Sequence, residues 1–431
     1  MKTLFQKQEE AKQFFVDCLN RKINTLDSSS VGTGKTVVAA HIAKELDRPV
    51  AVLCPKAVIP SWERELKEHG VDPMFVLNYE KVRNGKTKWM SKVGKKIMRW
   101  SLPPDTLVLV DEIHKCKGPY TQNAQLVISL VQQGFTIHGM SATASGDPTE
   151  MRALGYMLNL HSLNKPEGLL RSWYGWMMEH GCYQDEWKSW KAGNKNKLTP
   201  IRQMMYGRCA NKLTPADFPD SFRNNRVFVD PTEFKDLKKI DKAYEQLGIT
   251  PAIIEQYIEK GSVTDSEHVL VNILRARQLA ESFKVPDIAE MTEDFIEGGN
   301  SVVIFVNFTD TVNALCQRLD CPKIDGNQNA AQRQEAIDNF QNDIFPCIVV
   351  NIAAGGTGLS LHDVRGERPR ISLICPTFNA KDYQQVLGRI HRNGAKSDAV
   401  QKVLVARDTI EEVVMKSIKT KLANQHELHG K

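Results

Sequence analysis

The sequence predicts an α/β protein with two parallel-sheet lobes and a helical segment between them. Three observations lead to this fold class. Short apolar runs typical of buried strands alternate with helical patterns over residues 1–160 and again over residues 296–431. Residues 161–295 lack such runs and show mostly helical patterns, at residues 163–178, 233–247 and 269–296, the last with a break at Pro286. With 431 residues, the chain is also too long for one ordinary core. These three ranges are the predicted domains.

The amino-terminal lobe is predicted to begin with an amphipathic helix that carries Gln8, whose amide can both donate to and accept from an adenine ring. A glycine-rich stretch and a second helix come after the first predicted strand. The strands predicted for this lobe lie at residues 23–26, 49–54, 74–77, 106–110 and 135–138.

Residues 28–36, SSSVGTGKT, follow a predicted strand and precede a helical pattern, which is the context of a phosphate-binding loop. Gly32 and Gly34 allow the backbone to curl so that its N–H groups face a phosphate. Lys35 is predicted to reach the β- and γ-phosphates, and the Thr36 hydroxyl is predicted to bind Mg²⁺. The predicted nucleotide contacts in this loop are Gly32, Thr33, Gly34, Lys35 and Thr36.

The strand predicted at residues 106–110 ends in two adjacent carboxylates, Asp111 and Glu112. An apolar strand that delivers such a pair at its carboxyl end is typical of the second half of a nucleotide site. Asp111 is predicted to hold Mg²⁺, and Glu112 is predicted to orient and deprotonate the attacking water. The sequence therefore predicts ATP and Mg²⁺ as the ligands.

The carboxyl-terminal lobe is predicted to repeat the alternation of strands and helices, with strands at residues 302–306, 323–325, 347–351, 371–375 and 402–405. Near its end, Arg389 and Arg392 are three residues apart. We predict that they share one helix face with Gln385. Arginines that reach a γ-phosphate stabilise the charge that develops during phosphoryl transfer.

The charges are unevenly distributed. The net charge is +6, but residues 81–99 hold eight Lys or Arg and no acid, and residues 187–212 hold seven and no acid. With tryptophan and tyrosine nearby, such runs are typical of surfaces that bind phosphates. Solvated helical faces explain either run alone equally well.

No apolar run is long enough for a membrane span, and the amino terminus lacks a signal-peptide pattern. We therefore expect a cytoplasmic protein that does not bind membranes. Its nine cysteines include no CxxC pair, which argues against a disulfide framework or structural zinc.

Several motifs together resemble one known family. SSSVGTGKT, DEIH and SAT, in this order, resemble motifs I, II and III of superfamily 2 helicases. CPKAVIPSWERELKE, LNYEKVR and DEIHKCKG more narrowly resemble the SWI/SNF-type DNA translocases, although these proteins more often have Gly-Thr-Pro in place of SAT. NIAAGGTGLSL and YQQVLGRIHRNG resemble motifs V and VI. The resemblance covers nearly the whole chain, whose compact length is similar to phage or bacterial versions.

The resemblance implies two RecA-like lobes with helical protrusions and a set of site residues. Gln8 corresponds to the adenine-reading glutamine, and Gly358 in the motif V loop is implied to bind the nucleotide. Motif VI implies catalytic roles for Gln385, Arg389 and Arg392. The residues implied to contact nucleic acid lie in loops that match motifs Ia, IV and V: Trp62, Thr309, Gly356 and Thr357.

We therefore expect an ATP-dependent DNA translocase or helicase that moves along duplex or forked DNA through sequence-independent backbone contacts. Three alternatives stay open: a fork-remodelling or branch-migration helicase, an RNA helicase, and an ATP-gated clamp without turnover. SAT is frequent in RNA helicases, whereas the Trp/Glu and Tyr-Glu features favour DNA. The presence of Lys35, Glu112, Arg389 and Arg392 argues against a clamp.

Overall fold

The protein divides into two compact units. The computed structural model describes residues 3–93, 97–186, 188–193, 198–260, 267–355 and 359–430. Unit 1 consists of Met1–Asp217 and Leu422–Lys431, and unit 2 consists of Phe218–Lys421. The three-domain division at residues 160 and 295 stays a prediction, and the middle segment contributes residues to both units.

Unit 1 is built on a six-stranded sheet in which every pairing is parallel. Its strands are β1 (Thr25–Asp27), β2 (Val50–Cys54), β3 (Phe75–Asn78), β6 (Leu107–Asp111), β7 (Thr136–Met140) and β10 (Ala210–Asn211). Their order across the sheet is β10-β1-β7-β6-β2-β3. The central strands are buried along their length, as expected for a parallel sheet covered on both faces.

Helices cover this sheet. They are α1 (Gln6–Asn20), α2 (Lys35–Leu46), α3 (Ile59–Glu68), α4 (Tyr79–Arg83), α5 (Gln122–Gln132), α6 (Arg152–Met157), α7 (Trp173–Glu179) and α8 (Leu198–Met205). The prediction of one helix over residues 163–178 is wrong in its first part, because helix begins only at Trp173. Pro166 and the positive φ of Gly168 interrupt the pattern there.

Two antiparallel hairpins complete the strands of unit 1. The first pairs β4 (Met90–Val93) with β5 (Ile97–Trp100), and the second pairs β8 (Tyr183–Gln184) with β9 (Trp190–Lys191). Neither hairpin joins the six-stranded sheet. The first hairpin overlaps the basic run of residues 81–99, and β9 of the second lies in the basic run of residues 187–212. The sequence had allowed both runs as solvated helical faces.

Unit 2 contains a second six-stranded sheet whose pairings are also all parallel. Its strands are β11 (Asn225–Phe228), β12 (Ser301–Val306), β13 (Lys323–Ile324), β14 (Cys347–Asn351), β15 (Arg370–Ile374) and β16 (Ala399–Val403). Their order is β11-β16-β15-β12-β14-β13. The predicted fold class, α/β with two parallel sheets, is therefore confirmed.

The predicted break near Pro286 is present in unit 2. Pro286 lies in the first turn of α12, where a backbone N–H has no partner within the helix, so the missing N–H of proline costs no hydrogen bond. None of the described helices combines the length and apolar composition needed to cross a bilayer. The helices of unit 2 are α9 (Leu237–Glu245), α10 (Pro251–Lys260), α11 (Glu267–Phe283), α12 (Val285–Glu297), α13 (Thr309–Leu319), α14 (Ala330–Gln341), α15 (Ile352–Gly355), α16 (Ala380–Leu387) and α17 (Ile410–His429), whose residues from Leu422 onward belong to unit 1.

The two strands of the middle segment that join the six-stranded sheets were also not predicted. β10 is two residues long, and β11 is exposed along its whole length. Neither contains the buried apolar run by which a central strand is recognised in a sequence. Both lie at the edge of a sheet, where pairing with one neighbour is sufficient.

Candidate active site

Three strands of unit 1 bring the first three motifs to one edge of the sheet. In the parallel register, Asp27 at the end of β1 lies opposite Met140 at the end of β7, and Met140 lies opposite Asp111 at the end of β6. The carboxyl edge of an open parallel sheet is the usual place for a ligand site. The loops after these strands carry the phosphate-loop, carboxylate and SAT residues.

The phosphate loop has the backbone that its glycines were predicted to allow. Gly32 and Gly34 have φ values of +83° and +91°, a region that residues with a Cβ atom rarely adopt. Helix α2 begins at Lys35, directly after Gly34. The loop therefore leads into the positive end of a three-turn helix, which favours an anion.

Lys35 points back into the loop. Its Nζ donates to the backbone oxygens of Ser29, at 2.7 Å, and Ser30, at 3.0 Å. Thr36, the next residue of α2, is half-buried. The ammonium group is thus already at the loop, where a phosphate can replace the two carbonyl groups as its partner.

Asp27 binds the start of the phosphate loop and was not predicted as a site residue. Its carboxylate is buried and accepts the backbone N–H of Ser29 at 2.9 Å. Burial raises the pKa of this carboxyl, while the charge of Lys35 and the hydrogen bonds from Ser29 oppose the rise. An acid that ends an apolar strand directly before a glycine loop is a signal that sequence reasoning could have used.

Gln8 lies against the loop, as expected from its sequence position. Its Nε2 donates to the Thr33 oxygen at 2.8 Å, and its Oε1 accepts the Phe5 N–H at 3.0 Å. A Cβ atom on Gly34 would lie 2.5 Å from Gln8 Nε2. The loop glycine and the glutamine are therefore packed directly against each other, and the role of Gln8 toward adenine stays a prediction.

Ser28 is held from the other side by a chain of buried polar groups. Its Oγ lies 2.6 Å from Tyr206 Oη, which lies 3.0 Å from His429 Nδ1. His429 Nε2 lies 2.9 Å from Ser145 Oγ, close after the SAT residues. Burial lowers the pKa of His429 to about 3, so its ring is neutral. No local pattern could have found this contact, because its members are more than 170 residues apart.

Asp111 is fixed by two aromatic side chains. Trp62 donates its indole N–H to Asp111 Oδ2 at 2.9 Å, and Tyr79 donates its hydroxyl to the Asp111 backbone oxygen at 2.5 Å. The assignment of Trp62 as a nucleic-acid contact is corrected here. The side chain is only 1% exposed, and a buried indole has no surface to offer a polymer. Trp62 instead orients the carboxylate.

The environment of Asp111 disfavours its negative charge. Asp111 as a whole is half-buried, but its carboxyl group is surrounded by protein atoms. Burial and then the adjacent charge of Glu112 raise the pKa of Asp111 to about 7, while the Trp62 hydrogen bond and the charge of Lys35 oppose the rise. A carboxyl whose pKa is raised by burial and by an adjacent carboxylate fits a bound cation. Mg²⁺, which prefers oxygen ligands, suits Asp111 together with the Thr36 hydroxyl.

Glu112 has a backbone in the left-handed region, with φ of +55°, which is uncommon for a residue other than glycine. Its Oε2 lies 3.0 Å from His114 Nδ1 and 3.5 Å from Ser141 Oγ. Strained backbone of this kind often occurs at functional sites. Here it turns Glu112 away from the line of β6, toward the residues that follow β7.

The SAT residues are more than turn formers. Ser141 Oγ lies 2.8 Å from His114 Nδ1, and it accepts the Thr143 N–H at 3.1 Å. Both Ser141 and His114 are buried. Ser141 of the third motif therefore positions His114 by a direct hydrogen bond. His114 in turn contacts the Glu112 carboxylate and keeps it in place.

In unit 2, the prediction that Arg389 and Arg392 share a helix face with Gln385 is wrong. Helix α16 ends at Leu387, Gly388 caps it, and both arginines follow in a turn. Gln385 is on the helix and is buried. Glycine after the last helical residue is a common signal for the end of a helix. The prediction followed the three-residue spacing of the two arginines and did not use Gly388.

Both arginines bind the last residues of motif V. Arg389 is 3% exposed and donates to the Leu359 oxygen at 3.2 Å. Arg392 donates to Ser360 Oγ at 2.9 Å and to the Gly388 oxygen at 3.0 Å. Burial lowers the pKa of Arg392 to about 10, which leaves it charged at neutral pH. Ser360 therefore joins the two motifs.

The predicted nucleic-acid contacts differ in accessibility. Thr309 is exposed at the start of α13, directly after the loop that follows β12. Gly356, Thr357 and Gly358 lie outside the described residues. Their implied contacts to nucleic acid and nucleotide stay predictions.

We expect Asp111→Asn to raise the melting temperature of the metal-free protein, and to raise it more at pH 8 than at pH 5. The folded-state pKa of about 7 exceeds the unfolded value of about 4, so wild-type stability falls as pH rises through this window. The neutral amide removes that loss. Thermal unfolding in a chelator should show a gain about 2–6 °C larger at pH 8.

Asp72→Asn is the matched control, because Asp72 is exposed in the same unit. It should change the melting temperature by the same small amount at both pH values. An equal gain for Asp111→Asn at pH 5 and pH 8 would contradict the raised pKa of Asp111.

Comparison with known proteins agrees with these motifs. Residues 285–394 match the model of the helicase conserved C-terminal domain. A protein of Acanthamoeba polyphaga mimivirus, named "Putative ATP-dependent RNA helicase L364", is 32% identical over 98% of this chain and 82% of its own length. The Bacillus subtilis protein "Uncharacterized ATP-dependent helicase YqhH" is 22% identical over 96% of this chain and 77% of its own.

A solved structure, the "Sulfolobus solfataricus SWI2/SNF2 ATPase core in complex with dsDNA", is also similar. It is 16% identical, and the match covers 100% of this chain and 97% of that chain with a TM-score of 0.40. This likeness is too distant to bear on the site.

Proposed function

This chain belongs to the SWI/SNF-like group of the superfamily 2 helicases, and we propose that it hydrolyses ATP to move along DNA. Its two parallel sheets are the RecA-like lobes of that family. The chain is an enzyme, a nucleic-acid-dependent ATPase. The observation that carries the proposal is that the Lys35 loop and the Asp111–Glu112 pair follow β1 and β6 at the same edge of the sheet, where both strands pair with β7.

In the proposed reaction, the N–H groups of the loop and Lys35 bind the phosphates of ATP. Thr36 and Asp111 would hold Mg²⁺, which would supply positive charge to neutralise the phosphate oxygens. Glu112 accepts a proton from the attacking water, and His114 and Ser141 keep its carboxylate in place. Trp62 and Tyr79 fix Asp111 on the other side.

Gln385, Arg389 and Arg392 keep the catalytic roles that the resemblance to motif VI implies. Arg389 and Arg392 are held against residues that follow the motif V loop. In this proposal, the same segment contacts the nucleic-acid backbone through Gly356 and Thr357. Polymer contact and arginine position are then linked by hydrogen bonds at Leu359 and Ser360.

DNA is the proposed polymer. The Trp and Tyr-Glu features that resemble SWI/SNF-type DNA translocases are the residues that hold Asp111. The exposed Thr309 is available for a phosphate contact. Contacts to phosphates predict binding that is independent of sequence and sensitive to salt.

RNA is the second candidate polymer, and one observation favours it. The mimivirus relative at 32% identity has RNA helicase in its name. The SAT residues, which resemble those of RNA helicases, agree with this candidate. The choice between DNA and RNA therefore needs an experiment that gives each polymer a distinct result.

Displacement of a third strand from triplex DNA tests the proposal. A translocase removes the third strand without opening the duplex. We expect ATP-dependent displacement by the wild-type protein and none by Glu112→Gln. Strand displacement from a tailed RNA duplex, with the DNA triplex left intact, would support the RNA helicase instead. Displacement of neither would contradict movement on either polymer.

A further inference from the structure

The β4–β5 hairpin is firmly attached to unit 1 at one end. Trp100, paired with Met90, is 7% exposed and donates its indole N–H to Ser129 Oγ of α5 at 2.8 Å. Gln133 accepts the Trp100 N–H at 3.0 Å and donates to the Met98 oxygen at 2.9 Å. These hydrogen bonds hold the Met90–Trp100 end of the hairpin to the end of α5.

The opposite end of the hairpin exposes apolar side chains. Val93 and Ile97 face each other across the two strands and are 45% and 59% exposed. They are the described pair farthest from the anchored Met90–Trp100 pair. Single exposed apolar residues are common, but a cross-strand pair forms a continuous apolar surface that gains free energy when it is covered.

Exposed basic residues lie along this hairpin and directly before it. Residues 81–99 contain eight basic residues and no acidic residue. Lys88, Lys92 and Arg99 of this run are exposed, and no ion pair between described residues includes them. Arg99 shares a face of the hairpin with Ile97, Lys92 lies on the other face, and Lys88 precedes β4 with its Nζ 4.6 Å from the centroid of the Trp89 ring. Cations along a hairpin that also carries an exposed apolar pair suit a ligand with phosphates on one part and flat apolar faces on another.

We propose that the β4–β5 hairpin binds a single-stranded segment of nucleic acid. Lys88, Lys92 and Arg99 contact its phosphates, and Val93 and Ile97 pack against its bases. Paired bases in a duplex are stacked and offer only their edges, whereas unpaired bases offer a face that apolar side chains can cover. The inference rests on the proposed function, because nucleic acid is the polymer on which the proposed motor acts. It adds a contact outside the helicase motifs.

Three variants test the inference. A charge variant carries Lys88→Ala, Lys92→Ala and Arg99→Ala, and an apolar variant carries Val93→Ser and Ile97→Ser. The control variant removes three exposed basic residues, two in the turn after α1 and one in α2: Arg21→Ala, Lys22→Ala and Lys44→Ala. Fluorescence anisotropy measures Kd for a single-stranded oligonucleotide and a blunt duplex at several salt concentrations. Circular dichroism verifies folding, and ATPase without polymer verifies an intact nucleotide site.

The two hairpin variants should fail in different ways. The charge variant should lower the slope of log Kd against log salt by about 2, since each single-strand phosphate contact contributes about 0.7. The apolar variant should keep the wild-type slope and bind single strands about 5- to 20-fold more weakly, with unchanged duplex binding. The control should retain both the wild-type slope and the wild-type Kd.

Two results would overturn the inference. One is a charge variant with the wild-type salt slope. The other is an apolar variant that binds single strands as tightly as wild type, or that loses duplex binding equally. If polymer-stimulated ATPase persists in wild type while either result occurs, only the hairpin inference fails. If wild type binds no nucleic acid, both the inference and the proposed function fail.

Discussion

Glu112→Gln is expected to lower kcat for ATP hydrolysis by about 10³-fold while ATP affinity stays within a few-fold of wild type. The amide has the shape of the carboxylate but cannot accept the proton of the attacking water. Because the Oε2 atom of Glu112 lies next to His114 and Ser141, we expect the glutamine side chain to stay in the same position. Steady-state kinetics gives kcat, and calorimetry gives the affinity for ATP.

Glu68→Gln is the control for this variant, because Glu68 is exposed at the end of α3. It should leave kcat unchanged. Turnover by Glu112→Gln at the wild-type rate would remove Glu112 as the general base. A parallel loss of ATP affinity would indicate a binding role instead.

Lys35→Ala is expected to weaken ATP binding by about 10- to 100-fold. A charge-assisted hydrogen bond contributes roughly 1.5–3 kcal/mol, and the ammonium is the cation of the loop itself. The substitution also leaves the Ser29 and Ser30 oxygens without the donor that they have in the free protein. Equilibrium binding of a fluorescent ATP analogue measures the loss directly.

Lys44→Ala is the control on the same helix, because Lys44 is an exposed residue of the last turn of α2. Both variants lose one positive charge, and only Lys35 lies at the loop. If Lys44→Ala weakens ATP binding as much as Lys35→Ala does, then general charge and not position explains the effect.

The parts of the site that the sequence predicted well are local. Residues 28–36 form their loop because the two glycines and the helix start are adjacent in the chain, and Asp111 and Glu112 follow their strand for the same reason. The convergence of β1, β6 and β7 also follows from a general rule about parallel sheets. A sequence pattern carries such information because each element needs only its neighbours.

The parts that the sequence did not predict depend on distant contacts. Trp62 was assigned to nucleic acid, although Trp62 and Leu66 are four residues apart on one face of α3 and both are buried. That spacing indicated burial, but only the fold reveals Asp111 as the partner. Tyr206 reaches Ser28 across 178 residues, and no local pattern contains this distance.

The β4–β5 hairpin illustrates a different limit. Its strands have four residues each and mix Lys and Arg with apolar residues, so their pattern resembles a solvated surface as much as a strand. Its position is set by Trp100 against α5, a contact between elements and not within one. The basic run could be recognised in the sequence, but its folding into a hairpin could not.

The steady-state rate of ATP hydrolysis, with and without nucleic acid, tests the central claim most directly. It is measured with no polymer, with single-stranded DNA, with duplex DNA and with RNA, and Glu112→Gln provides the background. We predict that at least one polymer raises the wild-type rate about tenfold or more and leaves the variant at background. A wild-type rate that is the same with every polymer and without any would contradict a nucleic-acid-dependent ATPase.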